Sequence, residues 1–386
     1  MRHLLWSLAV ALCSCLVPGQ IRRVELSSTV NGEEILQGLI PSPEPMNARE
    51  LGAWQLLCSG MLEGNDNFVK EDIFAFGGQT GIPPRLSWSN EALSIQFTAP
   101  KGGESTIARL LESVIANPKL DDERLGELRA RLSTPLADDW SAALAGERGD
   151  TVIPSEFVRR FAARAIRPEN LILVGTPGAL RAMDGRFSDW KPIHVPPDIR
   201  VTNSLTFRGP ETSKTGVLVG ATFKPITSQA ATCLAIVALG GGKTALFHQV
   251  LREHRGWTYR QEAFLKPERS GWRPTLVLQS SEPIPPKAEL TGALLEKVDT
   301  LSADDLQRFK TLTSTALAGN NPLSPFRFPD VYAGTSQDRA TWLAYATLWG
   351  TPNTTPESLL ADVKRATLDE LKEELKKILG QLMVVH

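Results

Sequence analysis

The chain has 386 residues and a formal net charge of −1, enough for two domains with separate cores at roughly 100–200 residues each. Hydrophobic residues make up 42% and charged residues 22%, the balance of a globular protein rather than a disordered or membrane-filling one. The near-zero charge and the lack of a long basic run exclude a nucleic-acid-binding surface as the main function.

The N-terminus reads MRHLLWSLAVALCSC, with Arg2 ahead of an apolar run from Leu4 to Leu12 and small residues at Cys13 and Ser14. This is a secretory signal pattern over residues 1–20 that implies a periplasmic or secreted protein, and a short N-terminal anchor is the alternative. The Leu12-Cys13-Ser14-Cys15 stretch also loosely matches a lipoprotein cleavage site, with Cys15 as the lipidated residue. Membrane attachment, on this reading, runs only through the N-terminus, because no other apolar run approaches the ~20 residues of a membrane span. Past the signal, Cys58 and Cys233 lie in different halves. Two isolated cysteines make no disulfide framework and are expected free and buried.

In the first half, strands are expected around Val24–Ser28 and Ile35–Ile40. A helix follows from about Asn47, its cap, to Leu62, with Leu51, Trp54, Leu57 and Met61 on one apolar face. Strands at Arg85–Ser89 and Leu93–Ala99, helices at Glu104–Ala116, Asp121–Ala145 and Pro154–Ala165, and a buried strand at Asn170–Val174 complete this half. Pro192, Pro196 and Pro197 mark residues 191–202 as a linker between a domain at 21–190 and one at 203–386. The second half repeats the order: a strand at Gly216–Phe223, helices near Ser228–Leu239 and Thr244–His254, strands at Thr258–Leu265 and Thr275–Gln279, several helices, and a last strand at Leu382–Val385. The expected fold class is therefore α+β, two duplicated domains of mixed sheet plus helices, related by a pseudo-twofold.

Gly240-Gly241-Gly242-Lys243-Thr244 has the look of a phosphate loop. That motif needs a glycine where Val237 stands, and it should follow a strand rather than a helical pattern. The glycines are better read as permitting unusual backbone angles and close approach of another segment.

The stretch from Leu239 to Tyr259, a Gly-rich turn followed by a Leu-Phe helix, Arg252 and Tyr259, resembles the second-domain signature of the pitrilysin/insulinase family of zinc peptidases. The segment Phe161–Gly175 resembles the end of that family's first domain, so the likeness covers nearly the whole chain past residue 20. The resemblance implies two α/β-roll domains in a clamshell. It also implies a His-x-x-Glu-His helix, in which two histidines one turn apart hold zinc and the intervening Glu activates the bound water. Aligned on Leu56, Leu57 and Gly64, this chain has Gln55 and Ser59 in place of the histidines and Cys58 in place of the Glu. Its histidines are His3, His194, His248, His254 and His386, none of them in the first domain. Glu123 and Glu127 lie near the expected distal ligand and also read simply as surface carboxylates.

The family's edge strand, which pairs with substrate peptide after a Gly-Gly, aligns with Gly77-Gly-Gln-Thr-Gly-Ile-Pro-Pro84, where Pro83 and Pro84 lack the N–H groups such a ladder needs. Arg252 and Tyr259 match the pair that contacts the substrate backbone in the family, and Gly240, Gly241 and Gly242 join them as implied substrate-binding residues. The resemblance thus implies a zinc-free subunit that is inert alone. Its expected partners are a homologous subunit carrying the zinc and a peptide substrate. The alternative is a non-enzymatic scaffold or peptide-binding protein that retains the fold.

Overall fold

The computed structural model describes residues 21–27, 29, 32–43, 46–65, 67–80, 82–133, 149–150, 152–187, 215–219, 229–268, 271–317, 335–350, 356–381 and 383–385. The expected signal segment and the 191–202 linker lie outside them.

Two sheets organise the chain. The first contains β1 (Arg22–Glu25), β2 (Glu34–Pro41), β3 (Arg85–Trp88), β4 (Ala92–Ala99) and β5 (Ile172–Gly175), in the order β1-β5-β2-β4-β3. Only the β1–β5 pair is parallel. The second contains β6 (Thr215–Val219), β7 (Arg260–Glu268), β8 (Gly271–Gln279) and β9 (Met383–Val385), in the order β7-β8-β6-β9 and antiparallel throughout. Matching β2, β3, β4 and β5 with β6, β7, β8 and β9 gives the same spatial order in both sheets. The duplication read from the sequence is therefore a duplication of strand order.

In the first repeat, helix α1 (Ala48–Gly60) follows β2 and α2 (Lys70–Thr80) precedes β3. Helices α3 (Glu104–Ala116), α4 (Asp122–Ser133), α5 (Ser155–Ala165) and the short α6 (Pro177–Ala182) complete it. Asn47 caps α1 as the sequence predicts. Its side chain accepts from the Glu50 N–H at 3.0 Å while the Glu50 carboxylate accepts from the Asn47 N–H at 3.1 Å, a reciprocal capping box.

Helix α2 was not anticipated. Its apolar signal is short, Ile73 and Phe76 at a spacing of three beside the exposed Phe74, and its last turn contains Gly77-Gly78 before it ends at Thr80, in the stretch the family alignment places ahead of an edge strand. That strand, β3, starts at Arg85, after both prolines. Pro83 and Pro84 therefore do not interrupt the β3–β4 ladder; they end it.

The second repeat contains α7 (Gln229–Gly240), a π-helical segment (Phe247–His254), α8 (Lys287–Asp299), α9 (Ala303–Leu317), α10 (Ser336–Leu348), α11 (Pro356–Arg365) and α12 (Leu368–Gln381). Its core gathers α7, Phe247, Leu251, β8 and the C-terminal helices. Helix α10 belongs to this repeat in sequence but lies between the two cores. Trp342 and Ala346 enter the second core, while Ala340, Ala344 and Tyr345 pack on Ile35, Leu39, Ala92, Ile172 and Val174 of the first sheet.

The alternation along β4 explains what α10 meets there. Leu93, Ile95, Phe97 and Ala99 face the core built by α1 and α3. The opposite face carries Ser94, Gln96 and Thr98, all buried. Gln96 Nε2 donates to the Gln337 carbonyl and to Gln37 Oε1, both at 2.9 Å, and Thr341 Oγ1 donates to Gln37 Oε1 at 3.1 Å. Arg85 Nη1 closes the seam on Asp338 Oδ1 at 2.8 Å.

The Gly-rich turn bears out the backbone reading. Gly242 has φ +87°, and a Cβ on Gly240 would lie 2.5 Å from the backbone nitrogen of Ala263 in β7. Replacing Gly240 by Ala must force α7 away from β7. We expect a loss of about 1–3 kcal/mol of stability, the usual cost of overpacking, read as a lower urea midpoint.

Candidate functional site

The helix aligned with the zinc-binding helix is α1. Gln55 and Ser59 are one turn apart and share a face with Gly52. Gln55 is buried and engaged at both ends of its amide. Nε2 donates to Asn90 Oδ1 at 2.9 Å in the β3–β4 turn, and Oε1 accepts from the Gly149 N–H at 3.1 Å. The chain runs close against the helix at this point. The Asp150 N–H donates to the Ala48 carbonyl at 2.8 Å, and a Cβ on Gly52 would lie 1.7 Å from the Asp150 carbonyl oxygen. Trp54 fixes the other side by donating from Nε1 to the Ser89 carbonyl at 2.7 Å.

Cys58, at the position of the general base, is fully buried in the apolar core of the first repeat. Burial pushes its thiol well above the ordinary range, with no neighbouring cation to draw it back. A neutral, inaccessible thiol is neither a nucleophile nor a metal ligand at neutral pH. Cys233 is likewise free, buried and pushed up to about 12 by desolvation, as the sequence reading expects of both.

No group of three or more His, Cys, Asp or Glu side chains among the described residues is placed to hold a metal ion. An amide locked into two hydrogen bonds, a half-buried serine and a buried thiol do not fit a zinc ion, which takes thiolate, imidazole or carboxylate ligands. Glu123 and Glu127 are exposed on α4, and Glu127 pairs with Arg124 at 2.7 Å.

A charge cluster that sequence reasoning missed ties α1 to its neighbours. Glu63, just past the helix, receives Lys70 of α2 at 2.9 Å and Arg131 and Arg124 of α4 at 2.9 and 3.5 Å. Burial alone would push the Glu63 carboxyl up, but the hydrogen bonds and charges of Lys70 and Arg131 outweigh it and hold the carboxyl below its usual range. Spacing could not have found this group, since its members come from three elements joined only by the fold.

In the second repeat, the π-helical segment positions Arg252. Its wide turn is marked by the Arg255 N–H donating five residues back to the Val250 carbonyl at 3.1 Å. Arg252 Nη1 donates to the Tyr259 carbonyl at 2.9 Å, so the two residues singled out from the sequence are directly joined. Tyr259 continues the sheet through its N–H, which donates to the Gln279 carbonyl at 2.9 Å, and its side chain is 49% exposed. Arg252 is exposed as well, and one donor of its guanidinium is committed to Tyr259. Gly240 and Gly241 are buried in close packing, and only Gly242 is exposed.

In the first sheet, β3 is the last strand in the order. The Ser89 N–H donates to the Ala92 carbonyl at 2.9 Å, so by antiparallel alternation the N–H and C=O of Leu86 and Trp88 point away from β4.

Among solved structures, a protease from Helicobacter pylori aligns with a TM-score of 0.73 at 12% identity, over 95% of this chain and 97% of that one. The inactive domain of a peptidase M16 from Pseudomonas fluorescens aligns with a TM-score of 0.71 at 15% identity, over 94% of each chain. This chain has the M16 peptidase-like fold. The first half of the periplasmic protease PqqL from Escherichia coli shares it, with a TM-score of 0.58 at 15% identity over 95% of this chain and 89% of that one. No protein-family profile and no curated protein sequence matches the chain. The fold expected from the pitrilysin/insulinase resemblance is the fold found.

Two outcomes follow from the α1 geometry. Gln55→Ala removes a buried side chain and leaves the half-buried Gly149 N–H without its acceptor, and should destabilise the fold by about 1–3 kcal/mol, whereas Ser59→Ala should stay within about 0.5 kcal/mol. Denaturant titration of the two variants measures both. Cys58 and Cys233 should resist a thiol-alkylating reagent in the native state and react once the chain is unfolded, as resolved by peptide mass spectrometry; labelling of native Cys58 would contradict the closed core around α1.

Proposed function

We propose that this chain is the zinc-free, non-catalytic member of a two-chain M16-type peptidase. A homologous partner would carry the zinc, and this chain would contribute Arg252 and Tyr259 to the peptide backbone. One contrast carries the reading: the face aligned with the metal ligands is bonded into the packing through Gln55, while Arg252 and Tyr259 remain joined and exposed. Arg252 offers a rigid charged donor to a substrate carbonyl, and the Tyr259 hydroxyl offers a donor to a developing oxyanion. A solved structure described as inactive, the Pseudomonas fluorescens domain, shares the fold over 94% of its own chain. The signal-like N-terminus supports a periplasmic or secreted location for this subunit, with Cys15 as its candidate lipid anchor. No helix among the described residues is long and apolar enough to cross a membrane.

A scaffold role is the second reading. The observation favouring it is that Pro83 and Pro84 remove two N–H donors directly ahead of β3, leaving a four-residue edge for pairing with a peptide.

The purified mature chain, assayed alone and mixed with a zinc-bearing homologue from the same organism, separates the readings. Alone it should hold far less than one zinc per chain and show no chelator-sensitive cleavage. The mixture should cleave faster than the homologue alone. Arg252→Ala or Tyr259→Ala in this chain should then lower kcat/KM by about 10²–10³, the scale of a lost transition-state hydrogen-bond donor, with assembly intact. Stoichiometric zinc in the isolated chain would overturn the proposal, and variants without effect on an active mixture would favour the scaffold.

A further inference from the structure

The segments around Tyr259 carry exposed cations. Lys243 on the Gly-rich turn and Arg252 and Arg255 on and after the π-helical segment are all exposed. None of the three has an ion-pair partner among the described residues. Arg255 lies over the Trp257 ring at 5.4 Å, an arrangement that fixes the guanidinium while leaving its donors outward. Carboxylates on these and the adjoining segments are Glu253, Glu262 and Glu282, with exposed Glu289 and Glu296 on α8, which packs on the π-helical segment. Glu253 is 3.6 Å from His248, and Glu262 is 3.3 Å from Arg260. Glu282 is exposed three residues past Gln279, the strand partner of Arg260.

These cations fall within reach of one extended peptide. Gly240 packs on Ala263, and Tyr259 lies four residues along the same strand, about 13 Å away at the usual rise per residue. Lys243 marks one end of this stretch, and Arg252 and Arg255 mark the other. A segment of about six extended residues spans roughly 20 Å, enough to touch both ends with Tyr259 between them.

We propose that this face selects acidic peptide segments, with Asp or Glu side chains flanking the stretch of backbone at Tyr259. The proposal rests on the reading that Arg252 and Tyr259 contact peptide, and it adds the substrate class. Guanidinium groups suit carboxylates because their paired donors match the two oxygens, and Lys243 adds a point charge at the far end. Because all of these groups are exposed, the attraction should weaken with salt.

The test uses the full mature chain and three fluorescently labelled peptides of one length and one aromatic centre, carrying Glu, Gln or Lys at the flanking positions, followed by anisotropy. The Glu peptide should bind about tenfold more tightly than the Gln peptide, the scale expected from two or three exposed ion pairs. The gap should close at about 1 M salt, where the screening length falls to roughly 3 Å. Lys243→Gln/Arg255→Gln should remove the preference. Lys101→Gln/Arg181→Gln, which takes the same charge from exposed sites in the first repeat, should keep it. Equal binding of the three peptides would overturn the acid preference alone and leave peptide contact standing. Equal loss in both double variants would overturn the assignment to this face. Binding of none of the three would overturn both the preference and the peptide-contact reading beneath it.

Discussion

Helix α10 is the constraint on which the two repeats depend. It is covered on both sides, by Trp342 and Ala346 in the second core and by Ala340, Ala344 and Tyr345 against the first sheet. A helix buried all round would ordinarily be apolar all round, yet this one carries Gln337, Asp338 and Thr341 into the seam. They are tolerated because the sheet presents matching groups: Gln37, Gln96 and Thr98 take hydrogen bonds from or give them to the helix, and Arg85 meets Asp338. Each neutral bond contributes only about 1 kcal/mol net, but an unmatched partner would cost more than that. The polar seam therefore specifies which helix covers this sheet more than it adds stability. Asp338 also completes the capping box of Thr335, so the residue that starts the helix also anchors it to the other repeat.

The same principle of complete polar matching shapes the α1 region. Where the resemblance implies metal ligands, the chain has an amide whose donor and acceptor are both used inside the protein. In a zinc site, the metal would link this helix to neighbouring segments. Here Gln55 links it to the β3–β4 turn and to Gly149, and Glu63 links its end to α2 and α4 through three cations. The region is thus closed by ordinary hydrogen bonds and ion pairs, and the thiol of Cys58 sits in the apolar interior behind them.

The second repeat keeps its polar groups outward. The π-helical turn widens the backbone after Leu246, so that Arg252 reaches the carbonyl of Tyr259 seven residues on, and Trp257 is tucked against the core beneath. Strand pairing to Gln279 holds Tyr259 in place, and its ring and the neighbouring cations face solvent. The two repeats share one strand order but have been put to different uses, one closed around α1 and one open around Tyr259.

Much of this was legible in the sequence because it rests on local periodicity and local caps. The two-residue alternation of β4, the apolar face and Asn47 cap of α1, the glycine turn and the repeated order of elements all arise from interactions between residues close along the chain. The substitutions at positions 55, 58 and 59 and the seven-residue spacing from Arg252 to Tyr259 were equally plain. Helix α2 was not, because a short helix with two glycines in its last turn carries too few apolar positions to declare its period. Nor could the alternation of β4 say that its polar face is buried. Ser94, Gln96 and Thr98 alternate with apolar residues along the strand, and the return of α10 from some 240 residues further along makes them interior. The sequence by itself determined the duplicated α+β fold and the absence of histidine from residues 21–190, since both follow from residue type and short-range spacing. Tertiary structure alone decided that Gln55 is locked, that Glu63 gathers three cations and that Arg252 grips the backbone of Tyr259, because hydrogen bonds and ion pairs depend on where distant segments are brought together.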